Sequence, residues 1–207
     1  NGDYEFVLNG LSGKDSEVFV AGGDLNVQST EFDVSLQINH RLTKTEMEAA
    51  FTVLDVPKVS AEGRLAASLK VTGSLNKPSG FQSSGSVELS DCVLFFQEQV
   101  LANDLALTVQ LNGQRLDVNE FAATMCDGSV NGTFYAEIRD ERSIEYRGQV
   151  RITDVNYPEL TAVLTANSKQ AARGSFSGNY DFSGRRNEPN APRGEGLIFF
   201  NDIDVSV

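Results

Sequence analysis

Apolar and polar residues alternate along most of this chain. Leu105, Leu107, Val109 and Leu111 are separated by Ala106, Thr108 and Gln110, a period of two that a half-buried strand asks for. The same alternation runs through Phe32, Val34, Leu36 and Ile38, and through Leu65, Ala67, Leu69 and Val71. It returns in Phe134, Ala136 and Ile138 and in Ile144 and Tyr146. Turn-forming residues punctuate these stretches at Gly22-Gly23, Asn76-Lys77-Pro78, Asn112-Gly113 and Asp127-Gly128, and Gly10, Gly13, Gly80 and Gly85 read as further turn glycines. Strand-length segments repeating every 8 to 14 residues or so predict antiparallel hairpins in a meander. One segment departs from the rule. Leu160, Val163 and Leu164 fall at helical spacing behind Pro158 and Glu159, which suit a first helical turn, and predict a short helix over 158–167. The expected fold is all-β: a curled antiparallel meander, either a repeating β-groove or a half-open sandwich, with one short helix.

The pattern also repeats at long range. The eleven residues 63–73 align without gaps on 174–184, residue 63 falling on residue 174 at an offset of 111. At that offset 85–91 falls on 196–202, so that Leu65 meets Phe176, Leu69 meets Tyr180, Val71 meets Phe182, Val87 meets Ile198 and Leu89 meets Phe200. Residues 8–10 match 111–113, and 52–56 resemble 151–155 through a shared Asp-Val pair. A gap-free block with paired glycines marks an internal repeat. It divides the chain into 1–62, the end of a first β repeat; 63–173, a second unit that includes the helix; and 174–207, the start of a third. Because the first unit begins and the last one stops partway, the expectation is a fragment of a longer protein.

Charge narrows the partners. The 207 residues carry a net charge of −12, the wrong sign for nucleic acid or for electrostatic docking on an anionic lipid surface. No run approaches the roughly 20 apolar residues that span a bilayer, so any membrane anchor of the parent is expected outside this segment. Eighteen Gly, five Pro, thirteen Phe and no Trp agree with short strands and tight turns. The two cysteines, Cys92 and Cys126, have no CxxC spacing. A disulfide between them would point to an oxidising compartment, whereas reduced thiols packed on strands are the expectation.

Catalytic signals are sparse. The one histidine, His40, ends an apolar strand with no nucleophile motif beside it, and one His with two distant Cys cannot make a usual zinc set. No GxSxG, P-loop or dinucleotide fingerprint occurs. Asp91 and Asp202 hold equivalent repeat positions, but a repeat apart they are too distant for a glycosidase pair; the expectation is a strand-end turn at each. Asn131, Gly132 and Thr133 fit a glycosylation sequon, and the aspartates form no calcium-loop run. No enzyme, cofactor or metal is expected.

The order of a strand ending at Asp154-Val155, a helix at 160–166, the glycine-framed block 174–184 and then Gly194 to Ile203 resembles the C-terminal repeat region of AsmA-like, TamB-type envelope proteins. The first copy differs from that pattern: after its own Asp-Val pair it has only Pro57 to Ser60 where the family has a helix. The resemblance implies a repeating β-groove with an apolar concave face, similar to bridge-like lipid-transfer proteins, in a periplasmic segment whose parent is anchored in the inner membrane. Leu65, Leu69, Val71, Val87, Leu89, Leu105, Leu107, Val109, Leu111, Phe176, Tyr180 and Phe182 are the expected groove lining, with phospholipid or other acyl chains as partners and envelope proteins as further ones. The rival expectations are a structural or adhesive β-repeat that fills its core with its own side chains, and a periplasmic jelly-roll bridge for lipopolysaccharide.

Overall fold

The computed structural model describes residues 2–12, 17–53, 59–140, 143–165, 172–185 and 193–205. Its strands are β1 (Asp3–Ser12), β2 (Glu17–Asn26), β3 (Glu31–Leu42), β4 (Val59–Ser74), β5 (Lys77–Phe96), β6 (Gln99–Gly113), β7 (Arg115–Met125), β8 (Gly128–Asp140), β9 (Ser143–Asn156), β10 (Ala172–Arg185) and β11 (Arg193–Val205). They form one sheet in sequence order, each strand hydrogen-bonded antiparallel to the next, with β1 and β11 as its two open edges. The all-β meander is as the alternation predicts. No second sheet faces the first among the described residues, so they contain no sandwich.

Among the described residues there are two helices rather than one. The expected helix is α2, Tyr157–Thr165; residues 166 and 167 lie outside the described residues. Asn156 caps it, its side-chain oxygen accepting from the Glu159 N–H at 3.1 Å. The second helix is α1, Lys44–Val53, between β3 and β4. Its start is a capping box, in which a Thr and a Glu three residues on satisfy each other's free backbone donors. The Thr43 N–H and Oγ1–H donate to Glu46 Oε2 at 2.8 and 2.7 Å, and the Glu46 N–H donates to Thr43 Oγ1 at 3.4 Å. The strand alternation on either side hides this short signal. Thr52 and Val53 are helical whereas Arg151 and Ile152 are in β9, so those two stretches are not equivalents. Pro57 lies outside the described residues.

The offset of 111 survives in the backbone. Glu62 pairs with Val93 and Arg64 with Ser90, leaving Gly63 opposite Asp91 and Cys92 in a β-bulge. Arg173 pairs with Asp204 and Ser175 with Asn201, leaving Gly174 opposite Asp202 and Ile203 in the same way. Asp91 and Asp202 both adopt left-handed backbone, at φ 51° and 49°. They therefore sit inside long strands at matching bulges and do not end them in turns. A bulge adds local twist and bends its strand.

Several glycines read as turns lie inside strands. Gly22 and Gly23 are central in β2, and a side chain on Gly23 would overlap the Asp33 carbonyl oxygen across the pair. Gly10 is in β1 and Gly80 and Gly85 in β5; Gly13 lies outside the described residues. Between β7 and β8 the turn is made by Cys126 and Asp127, with φ 44° and 63°, so Cys126 is a turn residue and not a strand residue. Gly128 follows, where a Cβ would lie 2.5 Å from the Thr153 carbonyl oxygen.

Candidate functional site

Register decides which side chains share a face, because directly opposed residues of antiparallel strands point the same way. One cross-strand row runs Phe19, Ile38, Ala67, Val87, Val109, Val118, Phe134, Gly148, Phe182, Gly194 from β2 to β11. A second runs His40, Leu65, Leu89, Leu107, Phe121, Gly132, Val150, Tyr180, Gly196. A third runs Leu8, Ala21, Leu36, Leu69, Gly85, Leu111, Leu116, Ala136, Tyr146, Gly184. Apart from His40, every member is apolar, aromatic or glycine. The sheet thus presents one apolar face across its whole width.

The sequence-predicted lining residues lie on this face, in unequal settings. Leu65, Leu69, Val71, Val87, Leu89, Leu105, Leu107, Val109, Leu111 and Phe182 are half-buried, while Ala106, Thr108 and Gln110 between them are exposed. Phe176 packs into the cluster of Cys126, Val130 and Val155 beneath α2, and Tyr180 is exposed. Phe81, Phe121, Phe134, Tyr146 and Val150 belong to the same face and were not singled out; their alternation was the available signal.

Aromatic rings lie down on glycines. A Cβ at Gly132 would lie 2.8 Å from the Phe121 ring, one at Gly148 2.5 Å from the Phe182 ring, and one at Gly184 2.5 Å from the Tyr146 hydroxyl. Phe182 stacks at 6.3 Å on Phe134 and at 6.2 Å on Tyr180, and Phe32 meets Phe81 edge-on at 5.0 Å. Each glycine lets a neighbouring ring spread along the sheet and cover its own backbone, giving a low apolar floor.

That floor is thinly covered. Both helices sit at one end of the sheet, α1 packed on β4, and α2 on β9 and β10 with a reach to β6. Among the described residues, Val155 is the only large side chain that is completely buried. The chain exposes 13,696 Å², against about 9,500 Å² for an ordinary folded monomer of its 22.5 kDa mass.

The opposite face is polar. Lys70 pairs with Asp33 at 2.8 Å, and Arg115 grips Asp117 through two 2.6 Å hydrogen bonds. Arg115 and Arg147 lie over the Tyr135 ring at 4.6 and 5.0 Å. Arg115, Asp117, Tyr135 and Arg147, with Gln149, Asp181 and Glu195, line an open depression of about 680 Å³. Its charges are of both signs and largely matched, which gives it no preference for a charged ligand.

The titratable groups carry structural roles. Burial, with Glu159 and Asp127 nearby, pushes the Cys126 thiol up to about 11, and burial also raises Cys92. Both cysteines are buried free thiols, neutral and poorly nucleophilic. His40 Nε2 lies 3.1 Å from Glu46 Oε1 beside the α1 cap. Among the described residues no three or more His, Cys, Asp or Glu side chains are grouped to hold a metal ion, and no helix is long and apolar enough to cross a membrane.

Compared with family models, with curated proteins and with solved structures, the chain gives no match.

Proposed function

We propose that the apolar face binds the acyl chains of phospholipids, in a periplasmic segment of an AsmA-like envelope protein whose parent is membrane-anchored elsewhere. The observation that carries this reading is a face apolar along all three rows traced above apart from His40, with no second sheet over it among the described residues. Water on such a face is unfavourable by about 25 cal/mol per Å² of apolar surface. An acyl chain laid along the floor relieves this at roughly 0.8 kcal/mol per buried methylene, with no polar motif required. The half-buried Leu107, Val109 and Leu111 form a stripe along β6 suited to one chain. The ion pairs Lys70–Asp33 and Arg115–Asp117 belong to the other face, away from the bound lipid.

A phospholipid carrying a photo-activatable group in its acyl chain tests this. The expected result is labelling of the purified protein on Leu65, Val87, Val109 and their row neighbours. Labelling no stronger than that of an unrelated β-sandwich, or confined to the polar face, contradicts the proposal.

A further inference from the structure

The apolar face has two chemically different halves. To its three rows β4, β5 and β6 contribute Leu65, Leu69, Val87, Leu89, Val109 and similar aliphatic side chains, and no aromatic ring. β7 to β10 contribute Phe121, Phe134, Tyr146, Tyr180 and Phe182 to the same rows. Each of these four strands is hydrogen-bonded on both sides, so the aromatic half belongs to the interior of the sheet.

The rings of this half lie flat. A ring resting on a glycine covers backbone with one π face and turns the other outward. Phe121 rests in this way on Gly132, Phe182 on Gly148 and Tyr146 on Gly184. Phe182 is close to parallel with both its neighbours, at 28° to Phe134 and 20° to Tyr180. Phe121, Phe134, Tyr146 and Phe182 are all half-buried, in keeping with rings covered on one side. Elsewhere on the sheet Phe32 meets Phe81 at 88°, an edge-to-face packing that takes up one π face of the pair. The interior of the aromatic half is tiled instead.

Outward π faces form an electron-rich surface, because an aromatic ring is negative over its face and positive at its edge. The electrostatic complement is a flat, electron-poor ring. It should also be uncharged, since an ion set on this floor would lose water without gaining a partner. The Tyr146 hydroxyl, over Gly184 and beside Phe182, is a donor that a carbonyl on such a ring can accept from. From the rings the first row continues without a break through Val118, Val109, Val87 and Ala67, at about 4.8 Å per strand. That aliphatic path suits an apolar tail. We propose that the aromatic half binds the ring of a prenylated quinone, whose tail lies along the aliphatic half. The site rests on the ring faces and stands whether or not phospholipid chains are taken up.

Titration calorimetry with a fully substituted benzoquinone bearing a short alkyl tail is expected to show binding. A saturated-ring counterpart with the same tail is expected to bind about tenfold more weakly. In the double variant Phe134→Leu, Phe182→Leu the apolar surface is kept and two ring faces are lost. Quinone binding is then expected to fall about tenfold, while the saturated-ring compound binds both proteins alike. The comparison of the two compounds on the wild type decides the matter if the variant fails to fold, as judged by circular dichroism. No binding of the quinone, equal binding of the two compounds by the wild type, or an equal loss of both in the folded variant would each overturn the proposal.

Discussion

The segments β3-α1-β4-β5 and β9-α2-β10-β11 follow one plan: a strand, a capped helix at the same end of the sheet, and a hairpin whose second strand bulges at an aspartate. Their helix starts nevertheless differ in electrostatics. Glu46 of α1 is held below its ordinary 4.5, first by the Thr43 backbone N–H, then by the Thr43 hydroxyl and His40. Glu159 of α2 is raised, first by burial and then by the charge of Asp127. α1 starts over open solvent beside the β5–β6 turn, with Lys44 contacting Glu98 and lying 4.6 Å from the Phe95 ring. α2 lies over the buried cluster of Cys126, Val130 and Val155, against which its Leu160 packs. The same local device thus serves two ends: a hydrogen-bonded clip in one copy and the lid of an apolar core in the other.

The largest expected effect falls on the bulge glycines. At Gly174, with φ 114°, an added Cβ would lie 2.6 and 2.8 Å from the carbonyl oxygens of Asn201 and Asp202, so Gly174→Ala is expected to cost about 2–4 kcal/mol in denaturant unfolding. At Gly63 the nearest obstacle is the Cys92 side chain. Cys92→Ala should therefore recover part of the loss in Gly63→Ala, while no side-chain truncation recovers Gly174→Ala. Equal behaviour of the two positions would contradict this difference between the bulges.

Val155→Ala, beneath α2, should follow at about 2 kcal/mol, and should speed alkylation of Cys126 while leaving that of Cys92 unchanged. Faster alkylation of both thiols would mean that the surroundings of Cys92 and Cys126 open together. The caps come next, Thr43→Ala and Asn156→Ala each lowering stability by about 1 kcal/mol, with hydrogen exchange accelerated only in the helix affected.

The smallest effect is on pH. Glu46 has a depressed folded value, so its contribution is full above 4.5 and is lost as pH falls through that lowered value. Glu159 has a raised folded value, so its contribution is present below 4.5 and is lost as pH rises through the raised one. Acidification should therefore loosen α1 and tighten α2, read as opposite changes in amide exchange. Parallel changes would show that the two glutamates do not govern their helices.

Much of the fold was legible in the chain. Alternation alone placed Leu105 to Leu111 and Phe32 to Ile38 on strands with the observed faces, and the offset of 111 made Asp91 and Asp202 equivalent, though as strand-end turns and not as the bulges they form. What stayed hidden has physical causes. Gly22-Gly23 reads as a turn because glycine serves both turns and close strand approach, and only the Asp33 backbone opposite distinguishes them. The α1 capping box is four residues long and sits between strong strand patterns. Left-handed backbone at Asp91 and Asp202 depends on the strand across from each, which local sequence does not encode. The candidate face was legible in part. Its β4–β6 lining followed from alternation, whereas the pairing of Phe121 with Gly132 and of Phe182 with Gly148 required the register.

The central claim, that the apolar face takes up acyl chains, is tested most directly on two adjacent residues of β6. Val109 is half-buried in the apolar row and Gln110 is exposed on the polar face. Photo-labelling by the same phospholipid is to be compared in Val109→Asp and Gln110→Asp, with folding of each verified by circular dichroism. The account predicts that Val109→Asp lowers labelling about tenfold or more, through a carboxylate placed where the chain lies, and that Gln110→Asp leaves it unchanged. Equal labelling of the two folded variants would contradict it.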